Sequence, residues 1–313
     1  CYQTRERRKN AADLEGMGIL ISVRTALEIE FIRASCQVVA RVREALENAI
    51  APGVTTLELD RLAEKMIRDC GGVPAFKGYR GFPASICASV NEQAVHGFPN
   101  SLTRLEEGDI LSVDVGVLRS GYYGDSAFTT AVGQISPELQ RLLDTTRNAL
   151  HDAIERARVP GRVSDISHAV QLRAESEGFS VIREYGGHGV GRSLHEDPYI
   201  PNYGAPGKGP RLRHGYVLAI EPIVSMRGSD IEVAEDGWTT TTRDRAPVAH
   251  FEHTIAITEE GPDILTDRGA TAVLACILTD DTALRQLNRE FRGTDTPTDV
   301  LSFDLSDPVH PAG

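Results

Sequence analysis

Two stretches of the chain carry apolar residues at helical spacing and then stop in the same way. Ile32, Val39, Val42, Leu46 and Ile50 form the first stripe, and Leu139, Leu142, Leu143, Leu150 and Ile154 form the second. Such stripes mark the buried face of an amphipathic helix rather than a cofactor contact. Ser136 is the N-cap candidate of the second helix, and Pro137 is its first residue, where a missing N–H does no harm. Pro52-Gly53 and Pro160-Gly161 break the two helices. A further helix is predicted after each break. Thr55-Thr56-Leu57-Glu58 opens one as a capping box, and Ser164 or Asp165 opens the other. Short runs rich in Val, Ile and Thr complete each half as strands.

The shared order reflects an internal repeat. Glu47–Gly53 resembles Glu155–Gly161, which sets Pro52 and Pro160 108 residues apart. Leu105–Asp114 resembles Leu212–Glu221, which sets Gly108 and Gly215 107 residues apart. Two matches at nearly one offset predict a pseudo-symmetric α+β domain of two related halves, ending near Asp267.

Candidate chemistry falls on the strands. Val113, Val115 and Val117 alternate with Ser112, Asp114 and Gly116, the period of a strand with one apolar face. If Arg119 faces Ser120 across the following turn, Asp114 and Asp125 stand directly opposite, about 4.5–5.5 Å apart at Cβ. Carboxylates so placed repel unless they share a cation. An exposed acidic hairpin face would give the same pattern. Glu221 holds the place of Asp114 in the second half. It ends the apolar run Val217-Leu218-Ala219-Ile220, where a carboxylate needs a partner. Within His250–Thr258, Glu252 is expected on the polar face of a half-buried strand. His188 lies in Gly186–Gly191, and glycines admit close approach to a ligand. That segment lacks the lysine and spacing of a phosphate-binding loop. Carboxylates with one imidazole suit Mn, Fe, Co or Zn, and two ions can share bridging carboxylates. His96 and His195 are candidate catalytic groups. His151, His168, His214, His250, His253 and His310 are read as ordinary surface histidines.

Composition narrows the class. The chain has 313 residues, 41% of them hydrophobic and 25% charged, enough for a sizeable core. A net charge of −12 argues against a nucleic-acid-binding surface covering the protein. No run of 18 apolar residues occurs, so no transmembrane helix is expected. Cys1–Asn10 is polar and basic, unlike a secretory signal. Five cysteines without a CxxC pair argue against a disulfide framework or a cysteine zinc site, and the cytoplasm is the expected location.

From about Ser22 to Asp267 the chain resembles the type I methionine aminopeptidases. The resemblance is carried by Pro52–Thr56, Lys77–Pro83, Ser89–Glu92 with His96-Gly97, Asp114–Gly116, Gly124–Ala127, Gly187–Gly191, Glu221-Pro222 and Glu252–Thr254. It implies the two-half "pita-bread" fold and removal of N-terminal methionine when the second residue is small. It implies two divalent metal ions (Co, Mn, Fe or Zn). Asp114, Asp125 and Glu252 would chelate or bridge them, with His188 and Glu221 completing the two sites. Hydroxide activated by the ions would attack the peptide bond, with Glu221 relaying the proton. His195 would stabilise the oxyanion, and His96 would bind the peptide amide. Tyr79, Phe82, Cys70, Cys87 and Trp238 would form the methionine pocket. Leu194 stands where the family often has an aromatic residue. Between His188 and Glu221 the large insertion of type II enzymes is absent, and so is a cysteine-rich zinc-binding extension.

The implied substrates are N-terminal peptides of nascent proteins, met at the ribosome, with no membrane or specific nucleic-acid partner, and a monomer is expected. Two alternatives share the fold. A dipeptidase cleaving before proline would normally carry a large N-terminal domain, where about twenty residues precede Ser22 here. A metal-free peptide-binding protein would not keep all five ligands.

Beyond the domain the pattern restarts. Ala272–Leu278 reads as a strand, Thr282–Phe291 as a helix and Asp299–Phe303 as a strand, a short β-α-β appendage. Leu287–Gly293 and Thr296–Phe303 resemble the early part of a bacterial metal-dependent endoribonuclease of rRNA maturation. That family binds its metal through a later histidine cluster, and His310 alone cannot replace three ligands. The expected division is an extension over 1–21, the peptidase domain over 22–268 and a truncated endoribonuclease-like tail, without nuclease activity, over 269–313.

Overall fold

The computed structural model describes residues 21–267, together with Arg285 and Arg289, which are helical. The chain divides into two units, Cys1–Arg268 and Gly269–Gly313, and the fold and site described here belong to the first. The strands expected at Ala272–Leu278 and Asp299–Phe303 lie outside the described residues, as does most of the extension over 1–21.

Four helices start where the sequence places caps. Helix α1 (Ala26–Ala49) opens at Thr25, whose hydroxyl accepts the Glu28 N–H while Glu28 accepts the Thr25 N–H. The capping box at Thr55 and Glu58 opens α2 (Thr56–Asp69). Ser136 caps α3 (Pro137–Arg156), with Pro137 in its first turn. Helix α4 (Val163–Ser176) begins slightly earlier than Ser164 or Asp165. Arg162 holds the N-cap position, and the Asp165 carboxylate reaches back to accept its N–H at 2.7 Å, the place for an acid in a capping box.

The repeat is visible in the backbone. Ala49 and Arg156 end α1 and α3, and Thr56 and Val163 begin α2 and α4, each pair 107 residues apart. The isolated bridges Thr55–Arg104 and Arg162–Arg211 are separated by the same offset. One core cluster draws on all four helices, through Val39, Leu59, Leu142 and Ile166, and on strands of both halves, through Val113 and Leu218. Each fully buried side chain of this kind contributes about 1.5–3 kcal/mol.

In the first half, β4 (Ile110–Arg119) pairs with β5 (Tyr122–Ala131), and also with β1 (Val73–Pro74) and β2 (Ile86–Val90). The hairpin register differs from expectation by two residues. Arg119 faces Tyr122, because Ser120-Gly121 forms the turn with φ of 51° and 77°, as two-residue hairpin turns require. Asp125 therefore stands opposite Gly116, and Asp114 opposite Ala127. A slip of two keeps both carboxylates on one face as diagonal neighbours.

In the second half a five-stranded sheet runs β15 (Pro262–Ile264), β14 (His253–Ile257), β9 (Val217–Ile220), β7 (Gly186–Gly189), β8 (Glu196–Pro201). A three-stranded sheet runs β13 (Val248–His250), β10 (Ile223–Ser225), β6 (Ser180–Val181), and another joins β11 (Ile231–Val233), β12 (Thr240–Thr242) and β3 (Gln93–Val95). The continuous strand expected over 250–258 is instead divided at Phe251-Glu252. Its partner is divided at Glu221-Pro222, where Pro222 has no N–H for a ladder. Ile223 pairs with His250 and Ile220 with His253, so one register carried across the gap sets Glu221 opposite Glu252. Both faces of this region are buried, with Glu252 only 2% exposed, so the expected half-buried strand with a polar face is not found.

Candidate metal centre

The hairpin, the double gap and β7 converge on one cavity of about 500 Å³. Asp114, Asp125, His188, Glu221 and Glu252 all line it. Ligand atoms of Asp125, His188 and Glu252 lie within 4.8 Å of one another. The His188 Nε2 is 4.0 Å from Asp125 Oδ2 and 3.7 Å from Glu221 Oε1. Its Nδ1 lies 2.9 Å from the Gly189 carbonyl, which can only accept, so Nδ1 carries the proton and the Nε2 lone pair faces the carboxylates. Gly187 lets β7 lie this close, since a Cβ there would collide with the Ala219 carbonyl.

Four carboxylates in one enclosure are electrostatically unfavourable without a cation. Burial lifts the Asp114 carboxyl to about 7. Burial, and then the neighbouring Asp114 and Glu221 charges, hold Asp125 well above the usual carboxylate range. Glu252 is raised in the same way by burial, Asp125 and Asp114. Asp114 Oδ1, Asp125 Oδ1 and Glu252 Oε1 are buried without a hydrogen-bond partner. Orphaned buried acceptors cost free energy, and divalent cations would supply both charge and coordination. The donor set of four carboxylates and one imidazole fits such ions.

Above the cluster the cavity wall is apolar. Tyr79 lies in a short 3-10 turn over Tyr79–Gly81, and Phe82, Cys87 and Trp238 line the same space. Phe82 meets Trp238 edge-on at 5.3 Å, and Leu194 is buried in this wall. Cys70, expected in the methionine pocket, is not there. It caps the C-terminus of α2 and packs on the main core.

His96 stands on the wall with φ of 60°, edge-on to Tyr185 at 5.3 Å and to Trp238 at 6.2 Å. Burial lowers its pKa to about 4, so the imidazole is neutral at pH 7. His195 has Nδ1 3.0 Å from the Tyr79 hydroxyl and its ring 4.4 Å from that of His188.

Several cavity residues escaped the sequence reading. His250, set aside as a surface histidine, is buried, with Nε2 3.7 Å from Glu221 Oε2. Burial lowers its pKa to about 3. Its signal was in the alternation that singled out Glu252, two residues further on the same side. Phe76 and Tyr185 also line the cavity, and only the fold brings them there.

A buried carboxylate cluster with one imidazole, beneath an apolar cavity, defines a metallohydrolase-type centre. Residues 30–259 match the model of metallopeptidase family M24. The chain is 51% identical over 247 residues to methionine aminopeptidase 1 of Bacillus subtilis, covering 79% of this chain and 99% of that one. The crystal structure of a methionine aminopeptidase from Thermotoga maritima superposes with a TM-score of 0.79 at 46% identity, over 80% of this chain and 100% of that chain. A prolidase from Pyrococcus furiosus shares the fold alone, with a TM-score of 0.63 at 23% identity over 79% of this chain and 66% of that chain. The chain belongs to metallopeptidase family M24 and, within it, to the methionine aminopeptidases. At the other end, residues 245–312 match the model of Endoribonuclease YbeY, in line with the resemblance of the tail. No helix among the described residues is long and apolar enough to cross a membrane.

Proposed function

We propose that this protein removes the N-terminal methionine of peptides whose second residue is small, acting in the cytoplasm on nascent proteins, as a monomer and with no nucleic-acid partner. The observation that carries this reading is the cluster of five ligand side chains beneath an apolar wall. Asp114, Asp125, His188, Glu221 and Glu252 would hold two divalent ions, of Co, Mn, Fe or Zn. Such ions lower the pKa of water toward ~7 and polarise the scissile carbonyl. Phe82, Cys87, Tyr79 and Trp238 take the methionine side chain. His96 hydrogen-bonds the peptide amide, and His195 donates to the carbonyl oxygen as it gains charge. Glu221 accepts the proton of the attacking water. The catalytic domain spans 22–268, and the tail over 269–313 has no nuclease activity and takes no part.

The test is a panel of Met-Xaa peptides assayed after chelation and re-addition of single metals. Release is expected from Met-Gly, Met-Ala and Met-Ser, only with metal restored. Efficient release from Met-Arg or Met-Leu, or full activity in chelator, would overturn the reading.

A further inference from the structure

His195 sits on the connection between β7 and β8, and that loop has little of its own to hold it. Arg192 and Ser193 are exposed, and Gly191 adds backbone freedom. Val190 and Leu194 give it two buried apolar anchors. The Tyr79 hydroxyl meets His195 itself, and ionic ties reach the loop from the far end of the sequence. The Arg24 guanidinium pairs with Glu196, the residue after His195. The other oxygen of Glu196 accepts the Ser193 N–H at 3.0 Å. Arg24 also lies 3.6 Å from Glu28, and Glu28 lies 3.8 Å from Arg192. Charges are therefore exchanged in both directions between the entry to α1 and the loop.

The four members differ in weight. Arg192 has a side chain 62% exposed, and solvated pairs contribute little. Arg24 and Glu196 are 9% and 16% exposed, so their attraction is far less screened. Arg24 is itself fixed, because its backbone N–H donates to the Gly215 carbonyl at 2.7 Å. Its guanidinium also lies so near Gly191 that a Cβ there would collide with it. The Gly191 carbonyl in turn accepts the Tyr123 N–H at 2.8 Å. The loop is thus gripped at Gly191, at Leu194 and at Glu196, on both sides of His195.

We propose that Arg24 and Glu196 are positioning residues for His195, a clasp that holds its imidazole over the carboxylate cluster. The proposal rests on the role given to His195 under the proposed function. Neither residue contacts the cavity, so the pair acts through the histidine. Catalytic groups must be held within about 0.5 Å of their working place, and a misplacement of about 1 Å can cost about 10²-fold in rate.

The test is Arg24→Met, which removes the charge and keeps most of the stem, with Glu196→Gln as a second route and Arg24→Lys as the conservative variant. Arg24→Met and Glu196→Gln are expected to lower kcat on a Met-Ala peptide by about 10–100-fold, with metal content unchanged and KM moved far less. Arg24→Lys should recover most of the loss. In a His195→Ala background, Arg24→Met should cost almost nothing more, since both changes act on one group. Histidine NMR of the metal-free protein should show the His195 signals broadened or doubled in Arg24→Met. Wild-type kcat and unchanged His195 signals in Arg24→Met would overturn the clasp, as would an equal loss on the His195→Ala background. Wild-type kcat in His195→Ala itself would instead overturn the role of that histidine, while the NMR result still judged the clasp.

Discussion

The two halves bring a carboxylate to the same point of the repeat by different means. Asp114 lies within β4, an unbroken ten-residue strand, and its neighbour Asp125 comes from the paired strand of the hairpin. Glu221 lies in the gap between β9 and β10, facing Glu252 in the gap between β14 and β13. In the hairpin the ladder runs on through both acids, and the Asp125 N–H and carbonyl meet the Thr254 hydroxyl of β14 at 3.3 and 2.7 Å. At the gaps it fails, and side chains or strands from elsewhere take over. Asn202 donates to the Glu221 carbonyl at 2.9 Å, the Ser126 hydroxyl donates to the Glu252 carbonyl at 2.5 Å, and the Ala127 carbonyl accepts the Glu252 N–H at 2.9 Å. A repeat can keep the place of a charge while changing the backbone that carries it. Asp114 sits on a strand paired on both sides, while Asp125 and both acids at the gaps draw on residues from elsewhere.

The largest expected effects test whether both versions serve one centre. Asp125→Ala takes a ligand from the hairpin, and Glu252→Ala takes one from the gap. Each should abolish metal-dependent Met release and lower the bound metal measured on purified protein, because each leaves the remaining charges unbalanced. Near-normal turnover with full metal content in either variant would separate the halves and remove that residue from the centre. Next in size, His96→Ala and His195→Ala should retain metal and lose about 10²–10⁴-fold in kcat, the usual contribution of a positioned proton donor or acceptor. Loss of metal in either would make it a ligand instead.

The same contrast explains what the sequence could convey. Regular periods were readable: the stripes of α1 and α3, the capping box at Thr55, and the offset that aligned Asp114 with Glu221. The hairpin was legible except for its register, which a two-residue turn at Ser120-Gly121 decides. The slip did not move Asp125 off its face, because the period of a strand is two. The gaps were not legible. Glu252 was placed on a continuous strand, and His250 on the surface, because nothing local announces that a chain passes between two sheets. Pro222 was the available signal. Cys70 was misplaced for a related reason: its assignment came from resemblance, while the end of α2 decides where it packs.

Support at the gap predicts a smaller effect. Asn202 is 2% exposed, and Asn202→Ala would remove the donor to the Glu221 carbonyl. A lost partner to a buried acceptor costs about 1–3 kcal/mol, which urea unfolding of the metal-free protein would read. Metal affinity should fall with it, since Glu221 is then less firmly placed. An unchanged unfolding midpoint would mean that the gap is held without this bond.

The smallest expected effect is none, from truncation after Arg268. The domain is anchored almost to that point. Gln37 on α1 donates to the Leu265 and Asp267 carbonyls at 2.9 and 3.0 Å, and Leu265 and Thr266 are buried. The Bacillus subtilis relative is 99% covered by an alignment spanning 79% of this chain, which leaves almost none of that relative to match the tail. The match to Endoribonuclease YbeY begins at residue 245 and overlaps the peptidase match up to 259. Those shared residues include all of β13 and β14, which flank Glu252, so that part of the match is already committed to the metal centre. Residues 269–313 form a unit of their own. His310 is its only histidine, short of the three protein ligands of a catalytic zinc site. The truncated protein should therefore release Met from Met-Ala at the rate of the full chain, with the same metal content. A several-fold loss of kcat on truncation, or metal-dependent RNA cleavage by the full chain, would give the tail a function.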